Sequence, residues 1–267
     1  QIPCIFEQIN TTGFHNGFAF ENLASSKERV IVREDGTFLS IPDGFSVEGT
    51  SFENDLLLIQ DKETKLYGYC DSEGYCAIPT QFEDADSFQN VYAPISQDGK
   101  WSHIDSNGNV CSPAVFDSPY HFESERAIAV KNGSPVLIDT SGTILKALDS
   151  ELTYDDFLSE GIALFGSRFY TGLMDTEGNE ILPLSEKMYI NPNPADGSFF
   201  SEEKHPVMND EGKWGYIDSS GKIVIECKWN QVCPFSNGLA RVYVDDKMAL
   251  IDHFGTVVWE ERGAEQR

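Results

Sequence analysis

The chain has 267 residues, 40% of them apolar and 12% aromatic, which is enough to bury a large core and lies outside the composition of disordered proteins. Nineteen Lys and Arg against 44 Asp and Glu give a formal charge of −25, which repels phosphate backbones and anionic head groups and so argues against nucleic-acid and membrane-surface roles. No apolar run approaches the ~20 residues of a membrane helix, which argues against membrane insertion, and the opening at Gln1 rather than Met points to removal of a preceding segment.

In chain order, the first predicted element is IPCIFEQINTTGFHNGFAF from Ile2, which ends in the strand GFAF. VIVREDG, ending at Gly36, follows as a short apolar strand running into a glycine turn. That pattern recurs as YGYCDSEG ending at Gly74, WSHIDSNG at Gly108, PVLIDTSG at Gly142, TGLMDTEG at Gly178, WGYIDSSG at Gly221 and MALIDHFG at Gly255. Asp71, Asp105, Asp139, Asp175, Asp218 and Asp252 each stand three residues ahead of their glycine, and Arg33 takes that place in the first copy. Successive glycines are 38, 34, 34, 36, 43 and 34 residues apart, so the repeat is a unit of about 34 to 43 residues.

After each glycine comes a second apolar strand, such as KIVI from Lys222, then a stretch ending in an aromatic. A strand of small and β-branched residues completes the unit: VYAPI from Val91, RAIAV from Arg126, GIALF from Gly161, GLARV from Gly238. No segment longer than about 10 residues keeps a helical apolar stripe. The Asp-x-x-Gly element is a hairpin turn: the carboxylate accepts from turn amides, and glycine supplies the positive φ that a side chain would make costly by about 1 kcal/mol or more.

KWGYIDSSGKIVI from Lys213, with Trp214 and Gly215 at its head and PFSNGLARV from Pro234 downstream, resembles a WG-containing repeat. Tyr67-Gly68-Tyr69 and Trp101-Ser102-His103 keep parts of the pattern, Pro135-Val136-Leu137 has lost the Trp-Gly pair, and residues 184–206 form an insertion. The resemblance spans nearly the whole chain and implies a repeat architecture and an interaction role, with no catalytic site and no cofactor.

The termini hold complementary fragments: residues 2–27 read as the second half of a unit and 247–260 as the first half. Together with six full units they make seven, so the expected fold is all-β, one repeat domain over 1–267, closed as a seven-bladed β-propeller-like ring. An open β-solenoid or superhelical stack of hairpins, capped by the terminal halves, is the alternative.

Little in the sequence carries chemistry. Six aspartates in separate turns lack the alternating spacing of a calcium loop, and His15, His103, His121, His205 and His253 lack zinc spacing, so no metal is expected. His103 occupies the place of Tyr69 and Tyr216, and Trp101 and Trp214 hold the repeat's signature position; packing is the reading for all three. The six cysteines, Cys4, Cys70, Cys76, Cys111, Cys227 and Cys233, are too sparse to be a disulfide framework. Cys70 and Cys76 flank one hairpin turn and could face each other, which would place the chain in a secreted or cell-surface compartment; buried free thiols are the other reading.

The candidate binding segment is the insertion, with Asn191, Asn193, Phe199 and Phe200 inside it, because long departures from a repeat fall on surface loops. The functional expectation is a monomeric, non-enzymatic interaction scaffold whose acidic surface takes a protein partner, the charge pointing to a basic one. An immunity-type inhibitor of a basic toxin is one version, and a glycan-binding lectin-like protein is the alternative.

Overall fold

The computed structural model describes residues 13–22, 29–158, 160–167, 170–184, 188–190, 200–245 and 247–261. Short β-branched and apolar runs separated by Gly and Asn turns offer no helical periodicity, and every regular element among the described residues is a strand. The class read from the sequence is the one observed: all-β, in seven small antiparallel sheets.

Residues 1–148 form one compact unit with four sheets. The first is β1 (Phe18–Asn22), β2 (Arg29–Arg33) and β3 (Phe38–Leu39). The second is β4 (Phe45–Val47), β5 (Leu56–Asp61), β6 (Tyr67–Asp71) and β7 (Cys76–Phe82). The third is β8 (Asp84–Ala85), β9 (Tyr92–Gln97) and β10 (Lys100–Asp105), and the fourth β11 (Arg126–Lys131), β12 (Ser134–Asp139) and β13 (Ile144–Ala147).

Residues 149–267 form a second compact unit with three four-stranded sheets. These are β14 (Thr153–Tyr154), β15 (Ile162–Ser167), β16 (Tyr170–Asp175) and β17 (Glu180–Leu182); β18 (Met188–Ile190), β19 (His205–Asn209), β20 (Trp214–Ile217) and β21 (Ile223–Trp229); and β22 (Gln231–Val232), β23 (Ala240–Val244), β24 (Lys247–Ile251) and β25 (Val257–Glu260). Every sheet runs as a meander in chain order. The half unit expected at 2–27 falls largely outside the described residues; its strand β1 pairs with β2, and β24 and β25 pair with each other beside β23.

The apolar run Leu56-Leu57-Leu58-Ile59 of β5 shows why the sheets stack. Leu57 and Ile59 pack to one side with Ile31, Leu39 and Phe52, while Leu56 and Leu58 pack to the other with Ala93, Ile95 and Ile104. A strand buried on both faces is continuously apolar rather than alternating, and each such side chain contributes about 1.5–3 kcal/mol. Between the third and fourth sheets the core is Phe116, Tyr120, Phe122, Ala127, Ala129, Val136 and Ile138. In the second unit Leu164, Leu173, Val207 and Ile217 fill one core, and Tyr216, Trp229, Phe235 and Val242 another.

The Trp-Gly pair has a mechanical explanation. Trp214 pairs with Trp229 and Tyr67 with Phe82, after which the register slips before Tyr216 and Tyr69 find their partners. The outer strand therefore bulges over the intervening glycine. A Cβ on Gly215 would stand 2.4 Å from the Ile225 carbonyl oxygen, and one on Gly68 would stand 2.6 Å from that of Ile78. Only a residue without a side chain lets the bulged backbone lie this close.

Candidate functional site

Six of the sheets present two described turns at the same end. One is the Asp-x-x-Gly turn; the other is a two-residue turn that opens the strand paired with it, because Leu56 lies opposite Asp71, Tyr92 opposite Asp105, Arg126 opposite Asp139 and Ile162 opposite Asp175. The second turn is closed by the bridges His15 to Phe18, Glu53 to Leu56, Gln89 to Tyr92, Glu123 to Arg126, Ser201 to Lys204 and Ser236 to Leu239. Its central residues take positive φ, as at Asn54 (51°), Asp55 (63°), Ser124 (48°), Glu125 (62°), Glu202 (50°) and Glu203 (64°). Such angles suit the right-handed twist of a tight hairpin.

The Asp-x-x-Gly turns are near copies of one another. Oδ1 of Asp105 accepts from the amides of Asn107 and Asn109, both at 2.9 Å, and Asp139, Asp175, Asp218, Asp252 and Asp71 hold the amides two and four residues on in the same way. The amides of Gly74, Gly108, Gly142, Gly178, Gly221 and Gly255 donate back to the aspartate carbonyl at 2.9 Å. Those glycines have φ between 75° and 92°. A Cβ at Gly74 would also meet the Ser40 carbonyl oxygen at 2.4 Å, and one at Gly221 that of Ile181 at 2.5 Å, so the turns abut the preceding sheet. In the first copy Arg33 cannot accept, and Asp35 takes over by binding the Thr37 amide at 2.8 Å.

In four of these turns the contacts hold the carboxyl below its usual range. The cause is first the Asn109 side chain for Asp105, the Ser141 hydroxyl for Asp139, the Ser220 hydroxyl for Asp218 and the Thr256 amide for Asp252. All four are ionised at neutral pH.

Side chains on the two-residue turns tie neighbouring sheets together, a feature the sequence reading missed. In the first unit Asn16 Nδ2 donates to the Phe52 carbonyl at 2.8 Å, Asn54 Nδ2 to that of Asn90, and Asn90 Nδ2 to that of Phe122 at 3.0 Å and to Glu123 Oε2 at 2.9 Å. In the second unit turn glutamates accept instead, Glu160 from the Phe200 amide at 3.5 Å and Glu202 from the Gly238 amide at 3.1 Å, while Ser201 Oγ still donates to the Phe235 carbonyl at 2.5 Å. Asn90→Ala should therefore lower stability by about 1–3 kcal/mol, measured by denaturant unfolding, because it leaves the Phe122 carbonyl without this donor.

The same ends collect the negative charge. In the first unit they carry Glu34, Asp35, Glu53, Asp55, Asp71, Glu73, Asp105, Glu123, Glu125 and Asp139 against Arg33 and Arg126. The turns at the opposite ends, β5 to β6, β9 to β10 and β11 to β12, mix Asp61, Glu63 and Asp98, and the Glu83 and Asp117 carboxylates that bind the Gly99 and Gly133 amides, with Lys62, Lys65, Lys100 and Lys131. In the second unit the carboxylate end has Glu160, Asp175, Glu177, Glu202, Glu203, Asp218 and Asp252, together with Lys204, Lys222 and His253. His253 Nε2 donates to Glu202 Oε2 at 2.9 Å, Lys204 Nζ to His253 Nδ1 at 2.9 Å, and the imidazole stacks on Phe235. Phe254 at the tip of that end is 89% exposed.

The residues singled out in the insertion divide. Asn191, Asn193 and Phe199 lie outside the described residues. Phe200 is buried in the core of the second unit with Leu164 and Val207. It belongs to the repeat: like Phe52, Phe88, Phe122 and Phe235 it stands 17 to 19 residues ahead of the Asp-x-x-Gly aspartate, a spacing that the neighbouring insertion disguised.

Trp214 and Trp101 pack half-buried against the cores, and His103 is buried where Tyr69 and Tyr216 stand. Tyr69 and Tyr216 donate to the carbonyls of Asp86 and Cys233, both at 2.7 Å. His103 Nδ1 instead meets the Tyr120 hydroxyl at 2.9 Å, and Nε2 meets the Thr140 carbonyl at 2.8 Å. Tyr120 is the counterpart of Asp86 and Cys233 in the repeat, so its hydroxyl fills the reach that the shorter imidazole lacks. Among the described residues, no three His, Cys, Asp or Glu side chains gather as metal ligands.

Residues 67–101, 104–134 and 214–247 match the WG containing repeat family. The chain carries WG-containing repeats. The matched segments run across the junctions of the second sheet with the third, the third with the fourth and the sixth with the seventh, and they include the WG glycines Gly68 and Gly215 beneath their bulges. No curated protein matches the chain. Among solved structures, BamB from Moraxella catarrhalis is similar over 94% of this chain and 81% of its own, at 10% identity and a TM-score of 0.41. A eukaryotic initiation factor is similar over 91% and 72%, at 11% identity and a TM-score of 0.48, and Kluyveromyces lactis Hsv2 over 88% and 87%, at 10% and 0.44.

Proposed function

We propose that this WG-repeat chain is a non-catalytic protein-interaction scaffold that takes a basic protein partner on the carboxylate-bearing ends of its sheets. The observation that carries this reading is the excess of carboxylates at one end of the first unit's sheets, an end whose described turns hold no lysine. Glu53 and Asp55 on the second sheet and Glu123 and Glu125 on the fourth are linked through the Asn90 turn that stands between them, whereas the lysines of that unit's described turns sit at the opposite ends. A one-signed field on fixed turns steers a cationic partner and orients it, with an effect on association rate more than on dissociation.

The test is association kinetics with the partner recovered from the native source. The quadruple variant Glu53→Lys, Asp55→Lys, Glu123→Lys, Glu125→Lys should slow association by about 10- to 100-fold at low salt, and the wild-type rate should fall steeply as ionic strength rises. Reversing Lys62, Lys65, Lys100 and Lys131 to Glu should leave the rate within about threefold. A partner whose binding ignores both salt and the first set of reversals would sink the reading.

A further inference from the structure

The residue before each Asp-x-x-Gly aspartate has a fixed partner across the hairpin, five residues beyond that aspartate. The pairs are Val32 with Phe38, Ile104 with Val110, Ile138 with Ile144, Met174 with Glu180, Ile217 with Ile223 and Ile251 with Val257. In each pair the first member is buried and the second is exposed on the outer strand. In the second sheet alone both places are held by cysteine: Cys70, fully buried, lies opposite Cys76, which is exposed.

The backbone at this site suits a covalent bond. The amide of Asp71 donates to the Tyr75 carbonyl at 2.9 Å on the turn side, which makes Cys70 and Cys76 a non-hydrogen-bonded antiparallel pair. Residues so placed have Cα atoms about 4.5 Å apart, inside the range of about 4.4–6.8 Å that a disulfide spans, with side chains on one face. Cys76 Sγ now lies 3.5 Å from the Ile78 carbonyl oxygen, so bond formation needs this exposed side chain to rotate toward Cys70, next to the register shift between Tyr69 and Cys70.

We propose that Cys70 and Cys76 are a paired thiol site that a small-molecule disulfide converts into a cross-strand disulfide, fastening the outer strand β7 to β6. The solvent-facing Cys76 reacts first: its thiolate attacks the oxidant, the oxidant's S–S bond breaks, and one thiol leaves with Cys76 held as a mixed disulfide. Cys70 then attacks the Cys76 sulfur and releases the second thiol. The two protons from the cysteines end on the two released thiols, and the two electrons go to the oxidant. Burial pushes the Cys70 thiol up to about 12 and raises Cys76 as well, so closure is slow at neutral pH and quickens as the pH rises.

The experiment treats the intact chain with oxidised glutathione, traps remaining thiols by alkylation in denaturant, and cleaves after glutamate without reduction. Cleavage at Glu73 separates the two cysteines, so the expected product is a pair of peptides joined only through Cys70 and Cys76, absent from Cys76→Ser. The rate of closure should grow by roughly 50- to 100-fold between pH 7 and pH 9, because the thiolate fraction of a raised thiol climbs about tenfold per pH unit. The oxidised chain should melt a few degrees, on the order of 5 °C, above the reduced one, and Cys76→Ser should show no such shift. A Cys76 that keeps its glutathione while Cys70 alkylates, a Cys70 joined to any other cysteine, or an unchanged melting temperature in the cross-linked chain would each overturn the proposal.

Discussion

Replacing Gly215 with alanine should destabilise the protein by about 2–4 kcal/mol and lower its melting temperature by roughly 5–15 °C. The added Cβ would lie 2.4 Å from the Ile225 oxygen, 2.7 Å from the Cys227 nitrogen and 2.8 Å from the Glu226 carbonyl carbon. All three are backbone atoms of the bulged strand β21, so relief requires that strand to move, which would pull Ile225 and Trp229 out of their core. Gly99 supplies the contrast. Its φ is +67° with nothing within 4 Å of a Cβ, so Gly99→Ala meets backbone strain alone and should cost about 1 kcal/mol. Thermal unfolding of the two variants side by side decides the matter; equal losses would mean that the bulge yields freely.

Acid should weaken the fold through His103. Its ring is buried, which holds its pKa below that of an unfolded histidine, and its Nε2 contact with the Thr140 carbonyl opposes that only in part. The geometry fixes the tautomer: a carbonyl can only accept, so Nε2 carries the proton and Nδ1 accepts from the Tyr120 hydroxyl. Between the unfolded value near 6.5 and the depressed folded value, the unfolded chain binds the proton that the folded chain refuses, so stability falls as pH falls. The stability that this group contributes is present in full above pH ~6.5 and is lost progressively below it, with a slope that can reach about 1.4 kcal/mol per pH unit. Denaturant midpoints measured from pH 7.5 to pH 4.5 should show this component, and His103→Gln, which keeps a donor for Thr140, should flatten it. An identical slope in the variant would assign the acid sensitivity to other groups.

Several layers of the molecule were legible before any coordinates. Asp-x-x-Gly turns are closed by bonds that reach no further than four residues, from Asp71 to the Tyr75 amide or from Asp105 to that of Asn109, so their chemistry is written in consecutive letters. The all-β class follows from the same local grammar, repeated at a nearly constant period. The WG signature was readable as a resemblance, though its purpose was not, because the bulge that requires Gly215 belongs to a strand ten residues further on.

The candidate site was much less visible. Phe200 read as part of an exposed insertion because the extra residues before it displaced the pattern, whereas its fixed distance to Asp218 marks it as the repeat's core aromatic. The ties from Asn16 to Phe52 and from Asn54 to Asn90 join residues 36 apart, a separation at which sequence shows composition but no contact. His103 and Tyr120 are two departures from the repeat that explain each other only once the ring and the hydroxyl are seen 2.9 Å apart.

By itself, then, the sequence determined the strand-turn-strand unit, its spacing and its excess of carboxylates, since turn closure and net charge are properties of neighbouring residues and of sums. Which end of each sheet those carboxylates occupy was decided only in three dimensions. Antiparallel pairing brings Leu56 beside Asp71, and so sets two turns separated by more than a dozen residues on one edge of the same sheet.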